Sequence, residues 1–293
     1  MKPVRIAVLP VAGFGTRVLP ATKTVAKELL PVVDRPVLQY VYDEAIEAGI
    51  EHIVFVTGRN KGAIEDYFDS AFELEFALQA KNKTAIFEQM KENQPLEGSV
   101  SFVRQQAAKG LGHAVWCARD IVGDEPFAVL LPDVIIQSEP GCLAQMIKAY
   151  NTTGGNIIAV DSVPDDKVSS YGVIKPKAGE SADSQIVAMD GMVEKPALKD
   201  APSNLKITGR YILQPELMGL LKDQAAGAGG EIQLTDAMAR LMTSQDFYAF
   251  KYEGQDYDCG SKIGYLEAVL AFAKVHPEIG AEAKSLIKNM AET

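Results

Sequence analysis

A chain of 293 residues with 47% hydrophobic content and near-zero mean hydropathy can bury a large core and lies near the upper size of a single domain. Its formal net charge of −10 excludes a coating role on nucleic acid, which needs an extended basic surface to displace counterions, and its three scattered cysteines, without a CxxC pair, exclude a disulfide framework or zinc knuckle and fit a reducing cytoplasm. No run approaches the roughly 18 apolar residues of a membrane span, and Pro3, Arg5 and Pro10 interrupt the N-terminal apolar stretch as they would not in a signal peptide, so a soluble cytoplasmic protein without a membrane or nucleic-acid partner is expected.

In chain order the first strand is Val4–Leu9, a short apolar, β-branched run. Gly13 and Gly15 follow it and allow the backbone approach that side-chain-bearing residues resist. Backbone N–H groups can then face an anion, with the planar fork of Arg17 and the point charges of Lys23 and Lys27 farther along. Residues 1–40 hold six Lys or Arg against two acids, so positive charge is concentrated here within an acidic chain. A dinucleotide GxGxxG would need glycine where Val18 stands, and no Gly-Lys-Ser/Thr of a P-loop occurs. Strand, turn and cations instead describe a cradle for a triphosphate. Helical patterns at Pro36–Gly49, Lys61–Phe68 and Ala71–Met90 alternate with strands at His52–Thr57 and Val100–Val103. This alternation predicts an α/β fold with a Rossmann-like, mostly parallel mixed sheet flanked by helices. Ligands of such sheets gather beyond the carboxyl ends of strands, so Ala12–Arg17, Thr57–Asn60, Arg104–Gly112 and Asp133 would line one rim.

In RQQAAKGLGHA, a glutamine amide near Gly110 can satisfy donor and acceptor edges of a pyrimidine. Gln105 is the first choice, Gln106 could replace it, and His113 reads as structural. Asp133 follows the strand Phe127–Leu131 through a proline, and Asp258 lies in YDCG after another strand-like run. Two such hard oxygens suit Mg2+. After the strand Asn156–Asp161 the pattern changes to shorter β segments separated by turns, including SSYGVIKP and MDGMVEKP, with strand-like runs at Ile186–Glu194, Lys206–Leu213 and Phe247–Tyr252. Hairpins or an added β region over a second substrate are predicted. GEIQLTDAMARL reads as an amphipathic helix with Ile232, Leu234, Met238 and Leu241 mostly inward, leaving Glu231 and Asp236 structural. Ile263–Val275 and Pro277–Met290 read as terminal helices that cap the core or join subunits.

The order GxGTRxxPxTK, KELLP, RQ, GLGHA, LPD, YGV, VEKP, TGRYI, GEIQLTD and YDCG resembles the bacterial UTP–glucose-1-phosphate uridylyltransferases of the sugar nucleotidyltransferase family, from residue 4 to about 270. The resemblance implies transfer of a uridylyl group from UTP to glucose 1-phosphate, giving UDP-glucose and pyrophosphate. It implies nucleotide binding by Leu9, Ala12, Gly13, Gly15, Thr16, Arg17, Glu28, Gln105, Gly110 and Asp133. Gly172, Glu194, Lys195 and Thr208 would take the sugar phosphate, with Thr208 to Arg210 along one wall, and Asp133 and Asp258 would hold Mg2+. Arg17, Lys27 and Lys195 would be the catalytic cations. One departure is Val25-Ala26, where the family usually has Ile-Pro; the missing proline bears on the stiffness of the loop holding Lys27.

A phosphate monoester with a second pKa near ~6 is already largely dianionic at neutral pH, so no dedicated general base is required and positioning with charge neutralisation is the catalysis. The expected organisation is a catalytic unit over 1–260, with a nucleotide half to about 160 and a sugar-phosphate half from 161, then a helical extension over 261–293. A homo-oligomer, dimer or tetramer, is expected from the resemblance. The alternatives are a related dTTP- or CTP-dependent sugar-1-phosphate nucleotidyltransferase and a non-catalytic nucleotide-sugar sensor, the latter disfavoured by the full set of cations and acids.

Overall fold

In the computed structural model, which describes residues 1–292, the first apolar run becomes strand β1, Ile6–Pro10. Ala7 and Leu9 join one core cluster and Val8 the other, as alternation requires of a strand covered on both faces. Strand β2, His52–Thr57, divides in the same way, Ile53 and Phe55 to one side and Val54 and Val56 to the other. Strands β3 (Val100–Arg104), β4 (Phe127–Leu130), β5 (Asn156–Ser162), β6 (Gly172–Pro176), β7 (Ile186–Glu194), β8 (Leu205–Leu213) and β9 (Phe247–Lys251) complete a nine-stranded sheet. Its order is β3-β2-β1-β4-β8-β5-β9-β7-β6.

Pairing is parallel among β3, β2, β1 and β4 and between β5 and β9. Strand β8 runs antiparallel to both β4 and β5, and β7 to both β9 and β6. The sheet is therefore less parallel than the early strand-helix alternation implies. Strand β8 enters its centre from a hairpin-rich stretch and not through a helical crossover, and an antiparallel partner needs no crossover.

Helices Val37–Glu47, Cys142–Thr153 and Lys262–Val275 cover one face; Leu111–Cys117, Glu216–Lys222 and Leu234–Leu241 cover the other. The expected helix over Ala71–Met90 separates into Phe72–Ala80 and Thr84–Glu92. Asn82 turns the chain there with φ of 53°, a conformation asparagine tolerates better than most residues. The GEIQLTD helix starts only at Leu234, leaving Ile232 outside it.

Two short ladders shape the rim: Pro31–Val32 with Arg35–Pro36, and Val134–Gln137 with Gln255–Asp258. Ser261 caps the Lys262–Val275 helix by accepting the Gly264 N–H at 3.2 Å. That helix buries Ala268 in the first core and donates the Tyr265 hydroxyl to the Pro31 carbonyl at 2.6 Å. His276 beyond it lies 3.1 Å from Asp34. The first terminal helix, with His276 just beyond it, thus fastens the hairpin that follows Lys27. The last residue of the expected extension, Thr293, lies outside the described residues. No helix among the described residues is long and apolar enough to cross a membrane.

Candidate active site

The short antiparallel ladder explains how two distant aspartates meet. Asp258 pairs in register with Val134, the neighbour of Asp133, and the Cys259 N–H donates to the Asp133 carbonyl at 2.8 Å. Arg17 spans the pair, with Nη1 3.4 Å from Asp258 Oδ2 and Nη2 3.4 Å from Asp133 Oδ2. Lys27 Nζ donates to the same Asp133 oxygen at 2.6 Å. Burial works to raise the Asp133 carboxyl, but the charges of Lys27 and Arg17 and the Lys27 hydrogen bond outweigh it and hold it below the ordinary carboxylate range. The adjacent Cys259 thiol is pushed up to about 12, by burial first and then by Asp258 and Asp133.

The donor set fits Mg2+. Two carboxylates, both within reach of Arg17, face one space and offer the hard oxygen donors such an ion takes, alongside substrate phosphates and water. Gly260 keeps the space clear. A Cβ there would press on Arg17 Nη2 and come within 2.8 Å of Asp133 Oδ2 and 2.9 Å of Asp258 Oδ1.

The loop leading to Arg17 carries the remaining glycine-turn residues. Leu9 is fully buried in the core, so it can offer a ligand only its backbone. Ala12, Gly13, Gly15 and Thr16 follow in an open turn, tied by the Thr22 hydroxyl donating to the Gly15 carbonyl at 2.7 Å. Glu28 is 0% exposed and accepts from Lys61 Nζ at 2.7 Å. Burial raises its pKa against the opposing charges of Lys61 and Lys27. Its carboxylate is therefore turned into the protein, where it anchors the turn that presents Lys27.

Of the two candidate glutamines, Gln105 is buried and Gln106 exposed. Gln105 Nε2 donates to the Gly110 carbonyl at 3.0 Å and meets His113 Nδ1 at 3.0 Å. An amide nitrogen only donates, so His113 accepts through a bare Nδ1, and the amide oxygen of Gln105 is the edge left for a ligand N–H. Burial, then the charges of Lys109 and Arg119, pull the His113 pKa below its usual value and keep that nitrogen bare. Gly110 has φ of 101°, and a Cβ there would lie 2.8 Å from the Ile232 carbonyl. The backbone of Ile232 grips the loop from both sides, its N–H donating to Lys109 at 2.7 Å and its carbonyl accepting from Gly112 at 2.8 Å. This is the use of the GEI stretch, and the helical reading of that segment concealed it.

A cleft of about 790 Å³ joins Arg17, Asp133 and Asp258 to Gly172, Glu194, Lys195 and Thr208 on its other side. Glu194 pairs in register with Gly172 at the end of β7. Lys195 follows with φ of 45°, its N–H donating to Tyr171 at 3.1 Å and its Nζ 3.8 Å from Glu194 Oε1. Sparsely populated backbone of this kind in a bulky residue persists where the surroundings enforce it, often at functional positions. Thr208 and Gly209 line the cleft as expected, but Arg210 does not. It is wholly buried on Glu44 behind the wall, because a charged side chain on a central strand must find a partner inside. Lys206, unmarked in the sequence reading, lines the cleft bound to both oxygens of Asp256 at 2.8 and 2.7 Å.

Residues 6–275 match the family model described as nucleotidyl transferase. A UTP–glucose-1-phosphate uridylyltransferase of Bacillus subtilis is 49% identical over 279 residues, covering 95% of this chain and 94% of that protein. A UTP-bound UGPase from Acinetobacter baumannii superposes with a TM-score of 0.90 at 46% identity, covering 97% of this chain and 98% of the other. A UDP-glucose pyrophosphorylase complexed with UDP-glucose is similar with a TM-score of 0.81 at 41% identity, covering 93% of this chain and 100% of the other.

Proposed function

The chain belongs to the nucleotidyl transferase family, and from its cleft we infer that it is a UTP–glucose-1-phosphate uridylyltransferase. It transfers a uridylyl group from UTP to glucose 1-phosphate, giving UDP-glucose and pyrophosphate. The observation that carries this reading is the joining of Asp133 and Asp258 by Arg17, with Lys27 on Asp133, at one side of a cleft whose other side presents Glu194 and Lys195.

Two polyanions must be held end to end, so the chain's work is to offset charge and align atoms. Asp133 and Asp258 would hold Mg2+, which when bound gathers and neutralises phosphate oxygens. Lys27 offsets charge at the α-phosphate and Arg17 holds the departing pyrophosphate. The backbone from Leu9 to Thr16 receives the nucleotide, and Glu28 contributes by fixing the turn of Lys27. Across the cleft Lys195 orients the sugar phosphate, while Glu194 accepts from sugar hydroxyls that come against Gly172 and Thr208. The nucleophile is a phosphate oxygen already ionised near neutrality, with a second pKa of about 6, so no side chain has to take a proton from it.

The open amide oxygen of Gln105 supports a uracil. It accepts an N3–H, which uracil and thymine carry and cytosine lacks. Pyrophosphate release from UTP, dTTP and CTP, each with glucose 1-phosphate and Mg2+, tests the assignment. Strong preference for UTP is expected; preference for dTTP or CTP would overturn the nucleotide, and binding without release would leave only a sensor.

The catalytic unit is assigned to 1–260, divided near 160 into nucleotide and sugar halves, with the helical extension beginning at the Ser261 cap. Ile263, Leu266 and Leu270, at helical spacing, are 66%, 50% and 39% exposed. This unpartnered stripe supports a homo-oligomer of two or four copies. Free thiols at Cys117, Cys142 and Cys259 support a cytoplasmic setting.

A further inference from the structure

Strand β8 reaches both carboxylate segments, Arg210 from behind the cleft wall and Lys206 from within the cleft. Arg210, on its carboxyl-terminal half, is fully buried, and its Nε and Nη2 donate to Glu44 at 2.8 to 3.2 Å. Its remaining donors leave the ion pair: Nη1 goes to the Leu131 carbonyl at 3.0 Å and Nη2 to the Val134 carbonyl at 2.7 Å. These two carbonyls bracket Asp133. The Leu131 N–H returns to the Gly209 carbonyl at 2.9 Å, so the turn bearing Asp133 is bonded to β8 in both directions. On the same strand Lys206 binds both oxygens of Asp256, which stands on the strand that ends in Asp258. Tyr252 adds a hydroxyl bond to Asp256 at 2.9 Å.

Burying a guanidinium and a carboxylate is a poor route to stability, since well-packed apolar residues often serve as well. What an apolar residue cannot do is bond two carbonyls at once. We propose that Arg210, held by Glu44, and Lys206, held on Asp256, are positioning residues that fix the separation of Asp133 and Asp258 and so set the affinity of that pair for a divalent ion. This inference rests on the reading of Asp133 and Asp258 as the ion's ligands. Groups behind first ligands typically control affinity ten- to a hundredfold.

The probe is Mn2+, titrated by electron paramagnetic resonance into the full chain in the presence of UDP-glucose, where no turnover occurs. Arg210→Lys keeps the charge opposite Glu44 but cannot serve two carbonyls as well. Glu44→Gln with Arg210→Met removes the ion pair while keeping the acceptor for the Leu143 N–H, and Lys206→Met with Asp256→Asn removes the other grip. With cooperative melting retained, each is expected to weaken Mn2+ binding by about tenfold or more. If the parent binds Mn2+, Asp133→Asn abolishes that binding, and the folded Arg210 and Lys206 variants stay within about twofold of the parent, the positioning role is overturned. If Asp133→Asn binds Mn2+ as the parent does, it is the ligand assignment that fails. Should the double variant at Glu44 and Arg210 not fold, Arg210→Lys and the Lys206 variant decide the question.

Discussion

Lys195 combines an exposed ammonium with a φ of 45°, a shape that costs a side-chain-bearing residue roughly 1–2 kcal/mol. Replacing it with glycine is expected to raise stability by about 0.5–1 kcal/mol once glycine's own entropy loss is counted, and to abolish efficient use of glucose 1-phosphate. Denaturant melts beside initial rates would separate the two effects, and a loss of stability would show that the backbone there is unstrained. Lys195→Ala is expected to raise the KM for glucose 1-phosphate and lower turnover by on the order of a hundredfold, with UTP binding retained in calorimetry. Asp133→Ala should remove Mg2+-dependent pyrophosphate release altogether. The Gln105 contact is pH-dependent because it needs His113 neutral. The His113 pKa is lowered in the folded protein, so the stability this bond lends is complete above the unfolded value of about 6.5 and is lost as pH falls through the lowered folded value. The KM for UTP should therefore rise more steeply on acidification in the parent than in His113→Gln, and equal pH profiles would refute the coupling.

At the level of elements, the loop over Gln105 to Gly112 is held by a segment from the opposite half of the chain. Gly110→Ala would place a Cβ 2.8 Å from the Ile232 carbonyl at a φ of 101°, and the combined clash and strain should cost about 1–3 kcal/mol. A lower melting temperature together with weaker UTP binding is expected; an unchanged UTP affinity would mean the loop does not shape the base pocket. This arrangement also marks the boundary of what the residues alone disclose. The glycine turn after β1, the carboxylate after β4 and the acid-base pair ending β7 are legible because each is local, a strand followed at once by its reactive group. Ile232 is not, since its use lies in its backbone and its periodicity suits a helix. Arg210 misleads for a related reason: in TGRYI it stands beside residues that do line the cleft, and only Glu44, 166 positions away, draws it behind the wall. The ladder of Val134–Gln137 with Gln255–Asp258 is too short and too polar for a strand pattern to announce it.

Across the whole molecule, one strand order brings Arg17, Asp133 and Asp258 into a common cleft with Gly172, Glu194, Lys195 and Thr208, while Tyr265 of the first terminal helix ties down the hairpin at Pro31–Pro36. If the stripe of Ile263, Leu266 and Leu270 is the seam between copies, Leu266→Asp with Leu270→Asp should lower the mass seen by light scattering; an unchanged mass would send the search to another face. The antiparallel pairing of Asp258 with Val134 has a consequence for biosynthesis. The partner of Val134 is translated only after every strand of the nine-stranded sheet, so the two acids come together only once that sheet has been made.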